Sequence, residues 1–308
     1  MQLRSTILTS LVLSAGLFCC ACSKSTPVCG AGPDTDPAFA MKMAEEHVAL
    51  GPRTAGTEGA AKAAAWIMEK MSAMKEKFVV TQDVWQENGK TFRNVQAVYR
   101  GQGDRGKFVI AAAHYDTKKL SLVPDFQGAN DGASGVAALL AMANALPEHS
   151  PLPFDIHFVF FDGEEAVLEY NDYDGLHGSK RCARQLKETG RAGNCVAMIL
   201  LDMVGDKNLD VRFPADTNRK LLDLAAGVSE TNGTLAQFNR GGSVMLDDHI
   251  PFQEIGIPAI DIIDFNYGPG NSYWHTRYDT LDKISGKSIA AAADFALDLI
   301  WALAEKQK

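Results

Sequence analysis

Thiols are scarce in this chain once its first residues are set aside. Four of the six cysteines (Cys19, Cys20, Cys22 and Cys29) lie near the N-terminus, which leaves Cys182 and Cys195. Beyond that segment no C-x-x-C pair occurs, so a thiolate zinc knuckle is excluded. There is no G-x-S-x-G elbow, which argues against a serine hydrolase. Basic residues are in deficit: 30 Lys and Arg face 38 Asp and Glu, a net charge of -8. That balance argues against nucleic acid as a partner, because a phosphate backbone selects basic surfaces. After the N-terminus no uninterrupted apolar run reaches the ~18 residues of a membrane span. No internal repeat stands out.

What is present suits a globular enzyme. The 308 residues are 46% hydrophobic, enough for one large core or two small ones. Charged residues make up 22%, which speaks against wholesale disorder. The N-terminus reads as an export signal: Arg4 in a short basic region, then an apolar run from Ile7 to Phe18. The run ends at Cys19, Cys20 and Cys22, and resembles a bacterial lipoprotein signal with Cys22, after Ala21, as the lipidated residue. Cys19 departs from that pattern, which usually has a branched aliphatic there. An ordinary cleaved signal is the alternative. The expectation is a signal over 1–22, a Ser/Pro/Gly/Asp tether over 23–36, and one catalytic domain over 37–308. The protein would then be exported, periplasmic or membrane-anchored through lipid, and monomeric. Cys182 and Cys195, thirteen residues apart, would be permitted a disulfide there.

Periodicity predicts helices over 38–50 and 57–75, then strands over 78–85 and 92–100 around an "ENGK" turn. "KFVIAAAHYD", "FDIHFVFFDGEE" and "CVAMILLDMVGD" read as buried strands that end in polar residues. Helical stretches, among them "DGASGVAALLAMANAL", separate them. Further helices are expected over 216–231, 248–255 and 286–306, with one more strand in "IPAIDII". Continuous apolar strands alternating with helices predict an α/β fold. It is a three-layer αβα sandwich with a central mixed, mostly parallel sheet covered on both faces. Sites in such sheets lie beyond the carboxyl ends of the strands. Those ends carry His114 and Asp116, then Asp162, Glu164 and Glu165, then Asp202.

Each piece alone has a bland explanation. Asp131 in "GANDGASG" suits a helix cap, Glu164-Glu165 a solvated helix start, and "DDH" at 247–249 a turn. His47 and His157, inside element patterns, read as structural. Together the residues are less easily dismissed, because His and carboxylates are the ligands of a hydrolytic zinc centre that lacks thiolates. Consecutive Glu164 and Glu165 leave a strand end in diverging directions, which suits one ligand and one general acid/base.

"HYDT", "GANDGASGVA", "FFDGEEA", "LLDMVGD", "DDHIPF" and "WHTRYDT" occur in the order found in the M28-type zinc aminopeptidase superfamily. From about Pro52 onward, including "PRTAG", the chain most resembles the secreted glutaminyl-peptide cyclotransferases within it. The resemblance implies a zinc-aminopeptidase-like fold and one Zn²⁺ held by Asp131, Glu165 and His275. It implies Glu164 as general acid/base, with Asp202 and Asp248 as its carboxylate partners. Trp274, Tyr170 and Lys118 would meet the substrate, a peptide or protein N-terminus. Lys118 is equally a candidate for a solvated loop residue. In dizinc aminopeptidases, which hydrolyse N-terminal residues, His114 and Asp202 would hold a second zinc. With one zinc, crowded Glu164, Asp202 and Asp248 would retain a proton near neutrality. The chain departs from the cyclase pattern in three places. Tyr170 stands where a second Trp is common, Asp261 where a His is frequent, and "DFNYGPGNSY" (264–273) is longer.

Overall fold

The structure, a computed structural model, describes residues 31–74, 76–103 and 106–307. The expected signal and most of the tether lie outside these residues. Two helices, α1 (Pro37–Val48) and α2 (Glu58–Ala73), precede a hairpin of β1 (Phe78–Glu87) and β2 (Lys90–Tyr99). Next come β3 (Phe108–His114), α3 (Ala133–Ala145), β4 (Asp155–Phe161), α4 (His177–Glu188) and β5 (Cys195–Asp202). They are followed by β6 (Val211–Phe213), α5 (Arg219–Asn232), β7 (Phe238–Arg240), α6 (Ile250–Glu254), β8 (Ala259–Ile263) and α7 (Gly286–Glu305).

Six strands form one sheet in the order β1-β2-β4-β3-β5-β8. β3 runs parallel to β4 and β5, and β5 parallel to β8. β1, β2 and β4 pair antiparallel. The sheet is therefore mixed with a parallel centre, as the apolar strands predict. At the hairpin tip Asn88 and Gly89 both take positive φ, 50° and 74°. That pair suits the two-residue turn whose twist matches the strands, and it sets Glu87 opposite Lys90.

β3 shows how the layers form. Val109, Ala111 and Ala113 join the large core beneath α1, α2, α3, α5 and α7. Phe108, Ile110 and Ala112 join a smaller core on the other face, under α4 and α6. Alternation with period two serves both faces, and the strand is buried throughout. α3 is likewise buried along nearly its whole length. It rests directly on β5: a Cβ at Gly135 would stand 2.3 Å from the Leu201 carbonyl oxygen. This contact holds the start of α3 beside the end of β5, where Asp202 lies.

The short pair β6/β7 has three residues per strand, too few for a hydrophobic period to appear in sequence. The helix expected over 248–255 is shorter, and Asp248 precedes it. The last residues of the expected tether are held down, since the Gly32 and Thr35 amides donate to Asp298 and Asp294 of α7. Cys182 and Cys195 are both free thiols. His47 is fully buried and stacks on Trp66 at 5.2 Å.

His157 on β4 stacks on Phe108 at 4.4 Å, and the Gln96 amide lies 3.0 Å from its Nδ1. Burial, aided by the Arg191 charge, pushes its pKa down to about 4. The unfolded chain takes up this proton near pH ~6.5, before the folded chain does. Its contribution is therefore complete above that pH and is lost as pH falls toward 4, up to about 3 kcal/mol. Urea unfolding of wild type and His157→Gln at pH 7 and pH 4 should show a shallower acid loss in the variant. Parallel losses would refute the assignment.

Candidate active site

The carboxyl ends of the parallel strands converge, and the side chains they carry form one buried cluster. His114 ends β3, and Asp202 ends β5. His114 Nε2 lies 3.1 Å from Asp202 Oδ1 and 3.2 Å from Asp131 Oδ1. The other oxygen of Asp131 lies 3.1 Å from His275 Nε2, which is also 3.1 Å from Glu165 Oε1. Asp131 thus serves two imidazoles at once. It arrives on the turn before α3, where Gly132 takes φ +86° and a Cβ would stand 2.8 Å from the Asp116 carbonyl oxygen.

Glu164 and Glu165 follow β4 after Asp162 and Gly163. Both their amides donate to one carboxylate, Glu164 to Asp116 Oδ1 (3.1 Å) and Glu165 to Asp116 Oδ2 (3.3 Å). Their side chains then part. Glu165 turns one oxygen to His275 and the other to Lys118 Nζ at 3.1 Å. Glu164 accepts from the Tyr170 hydroxyl at 2.9 Å. Tyr170 stands on a loop closed by Asp174, which accepts the amides of Val167, Leu168 and Glu169.

His275 takes φ +53°, a left-handed conformation that costs a non-glycine residue roughly 1–2 kcal/mol. Trp274 stacks on its ring at 4.1 Å and 21°, and Phe265 meets Trp274 edge-on at 4.9 Å. Lys118 is drawn into the cluster by Glu165 and also lies 5.5 Å from the Tyr170 ring centroid.

The electrostatics are those of crowded buried acids. Burial pushes the Glu164 carboxyl well up, and the Glu165 and Asp248 charges add to this. Burial likewise raises Asp248 to about 7. Asp247 and Asp261, both buried, are also pushed well up, by burial first and then by neighbouring carboxylates. Asp248 finds little relief: the nearby Ser179 hydroxyl is committed to the Leu176 carbonyl at 3.2 Å. Burial alone would lower the His275 pKa, but Asp131 and Glu165 raise it to about 10.

Such an array fits a divalent cation. One donor atom from each of Asp131, Glu165 and His275 lies within 4.8 Å of the others, and the same holds for His114, Asp131 and Asp202. Ligands at zinc distances on a tetrahedron are ~3.3 Å apart, close to the 3.1 Å spacings around His275. The cluster round His114 has similar spacings, so the geometry accommodates either one cation or two sharing Asp131.

Asp279 and Arg53 were absent from the sequence-based site, and Asp116, named there at a strand end, was given no role. Asp116 aims both glutamates. Asp279, fully buried, accepts the amides of Asn130 and Asp131 and the Tyr267 hydroxyl. Arg53 is 0% exposed and donates to the carbonyls of Gly51, Tyr115 and Gly128. All three bond mainly to backbone, which leaves no pattern of partner residues to read. Their sole signal is membership of the motifs "PRTAG", "HYDT" and "RYDT".

A site at the strand ends, with a carboxylate shared between two imidazoles, marks an α/β protein whose acids and histidines are placed to hold a metal ion. The chain belongs to peptidase family M28, whose profile matches residues 94–300. Within that family it is similar to glutaminyl cyclases. The crystal structure of Acidobacteriales bacterium glutaminyl cyclase is 30% identical, covers 92% of this chain and 100% of its own, and superposes with a TM-score of 0.80. The glutaminyl-peptide cyclotransferase of Boiga irregularis is 26% identical over 283 residues, 79% of this chain and 75% of that protein. A leucine aminopeptidase precursor from Bacteroides thetaiotaomicron is 24% identical, covers 88% of this chain and 99% of its own, and has a TM-score of 0.76. That last likeness concerns the fold alone.

Two outcomes are expected. Stripping metal with dipicolinate should lower Tm by about 5–10 °C, the size expected when a saturating ion leaves a domain of this length, and Zn²⁺ should restore it. An unchanged Tm would remove the case for a resident cation. Asp116→Asn leaves one amide of the pair without its acceptor. It should weaken metal affinity about 10- to 100-fold while the far-UV spectrum is retained. Wild-type affinity in a competition titration would show that Asp116 does not aim the glutamates.

Proposed function

We propose that this chain is a zinc-dependent glutaminyl-peptide cyclotransferase, converting N-terminal glutaminyl residues to pyroglutamyl with release of ammonia. The observation that carries the reading is Glu164. It is a buried carboxyl with a raised pKa, held by Tyr170 and next in the chain to Glu165, whose own carboxylate meets the His275 that Trp274 stacks on. The 30% identity to a glutaminyl cyclase over that protein's whole length supports it.

Asp131, Glu165 and His275 would hold the zinc, which when bound supplies Lewis-acid polarisation of the substrate's γ-carbonyl. The rest of the chemistry falls to the chain's own groups. The substrate's α-amine attacks its own γ-amide carbon, so one C–N bond forms, the other breaks, and no water is consumed. Glu164 takes the proton that the amine sheds and returns it to the departing ammonia. A carboxyl raised by burial suits both halves of that task, being basic enough to accept and acidic enough to release. Asp248, whose charge acts on Glu164, would hold the proton that the crowded site retains. Trp274 would form the wall that keeps the glutaminyl side chain folded back on its amine.

The cluster of His114, Asp131 and Asp202 supports a second reading, a dizinc aminopeptidase in which Glu164 deprotonates an attacking water. The two differ in metal count and product. The N-terminal pattern of residues 1–22 supports export, with lipid attachment at Cys22, so that monomeric protein meets peptide N-termini outside the cytoplasm. Among the described residues no helix is long and apolar enough to cross a membrane.

Purified protein offered a Gln-dipeptide and leucyl-p-nitroanilide should release ammonia, leave the anilide intact, and carry one zinc per chain. Nitroaniline with two zincs per chain would sink the cyclase reading. Glu164→Gln should cut turnover at least 100-fold with zinc still bound, as expected for loss of a general acid/base.

A further inference from the structure

Beside the catalytic cluster lies a cavity of about 500 Å³. It is bounded by the loop before α2, the start of β2, the loop after β3, and Val167 just past the paired glutamates. Its polar lining is Thr54, Thr57, Lys90, Lys118, Lys119 and Ser121, and no carboxylate is among its lining residues. Three ammonium groups around one recess stand out in a chain with a net charge of -8.

The cavity is continuous with the site. Lys118 belongs to its wall, yet its Nζ lies 3.1 Å from Glu165 Oε2. The three lysines are committed to different degrees. Lys118 is paired with Glu165. Lys90 packs its stem against Gly56, where a Cβ would come within 2.8 Å of it, and its charge also acts on Asp174. Lys119 is exposed, and no described carboxylate lies within ion-pair distance of it. Two large aliphatic residues adjoin the lining residues in the chain: Leu122, between Ser121 and Val123, is 91% exposed, and Leu168, next to Val167, is 90% exposed. Such exposure costs solvation unless something covers it.

We propose that this recess is a subsite for the substrate residues that follow the N-terminal one, and that it selects acidic side chains. This rests on the reading of the cluster as the place where a peptide N-terminus reacts. A peptide whose first residue sits against Glu164 and His275 passes Lys118 on its way out and enters the recess. A volume near 500 Å³ lies within the range of peptide-sized pockets. Carboxylates at the second and third positions meet Lys119 and Lys90, while Leu122 and Leu168 cover the peptide's aliphatic stems. The field of the lysines also concentrates acidic peptides against the repulsion of the chain as a whole.

The test separates binding from turnover. Zinc-loaded Glu164→Gln protein is titrated calorimetrically with Gln-Glu-Glu-Ala, Gln-Ala-Ala-Ala and Gln-Lys-Lys-Ala. The acidic peptide should bind about five- to tenfold more tightly than the alanine peptide, and the advantage should shrink in 0.5 M salt. Adding Lys90→Glu and Lys119→Glu, with a thermal melt to establish folding, should reverse the order in favour of the lysine peptide. Equal Kd for all three peptides, or a preference that survives charge reversal, would overturn the subsite. The cyclase reading fails separately, if wild-type protein releases no ammonia from Gln-Ala amide while acidic peptides still bind.

Discussion

The Asp131 carboxylate is the constraint on which the site depends. Its two oxygens point to imidazoles far apart in the chain, His114 at 3.2 Å and His275 at 3.1 Å. Neither contact survives a small rotation of the side chain, so the backbone beneath must be immobile. The amides of Asn130 and Asp131 donate to the Asp279 carboxylate and fix it, and the Asn130 side chain accepts from the Gly205 amide just past β5. The carboxylate is held below the ordinary range because both imidazoles donate to it, although burial opposes this.

Holding so many acids in one dry place requires positive charge that does not compete for the reacting atoms. Arg53 supplies it from behind. Its guanidinium is pulled down to about 10 by burial, against the upward pull of Asp279, Asp116 and Asp131. Its donors go to carbonyls on the loops that carry the site: Tyr115 after β3 and Gly128 before Asp131. One side chain thus balances charge and ties loops together.

Much of this was legible in sequence, and what was not has a common cause. The parallel centre of the sheet follows from strands such as "FVIAAAH", whose two faces are both apolar, and the acids at their ends mark the pocket. The Asn88-Gly89 turn is legible because few residues tolerate two successive positive φ angles. The donor atoms that approach one another, Asp131, Glu165 and His275, are those the family resemblance names. The roles of residues whose partners are backbone atoms (Asp116, Asp279, Arg53) were hidden, because any sequence offers amides and carbonyls. The hydrogen bond from Tyr170 to Glu164 was hidden for another reason: it depends on the loop closed by Asp174, and an Asp four residues on resembles any surface acid.

The backbone at His275 carries one more consequence. With φ at +53°, the residue adopts the conformation natural to the mirror-image amino acid while presenting a side chain of ordinary handedness. A glycine would relax the backbone and forfeit the imidazole. A D-histidine, introduced by chemical ligation, would find the same φ unstrained but would project its ring along a different vector, away from Asp131 and Glu165. Chirality at this single centre therefore sets backbone strain against the aim of the imidazole, and the folded chain settles the conflict in favour of the imidazole.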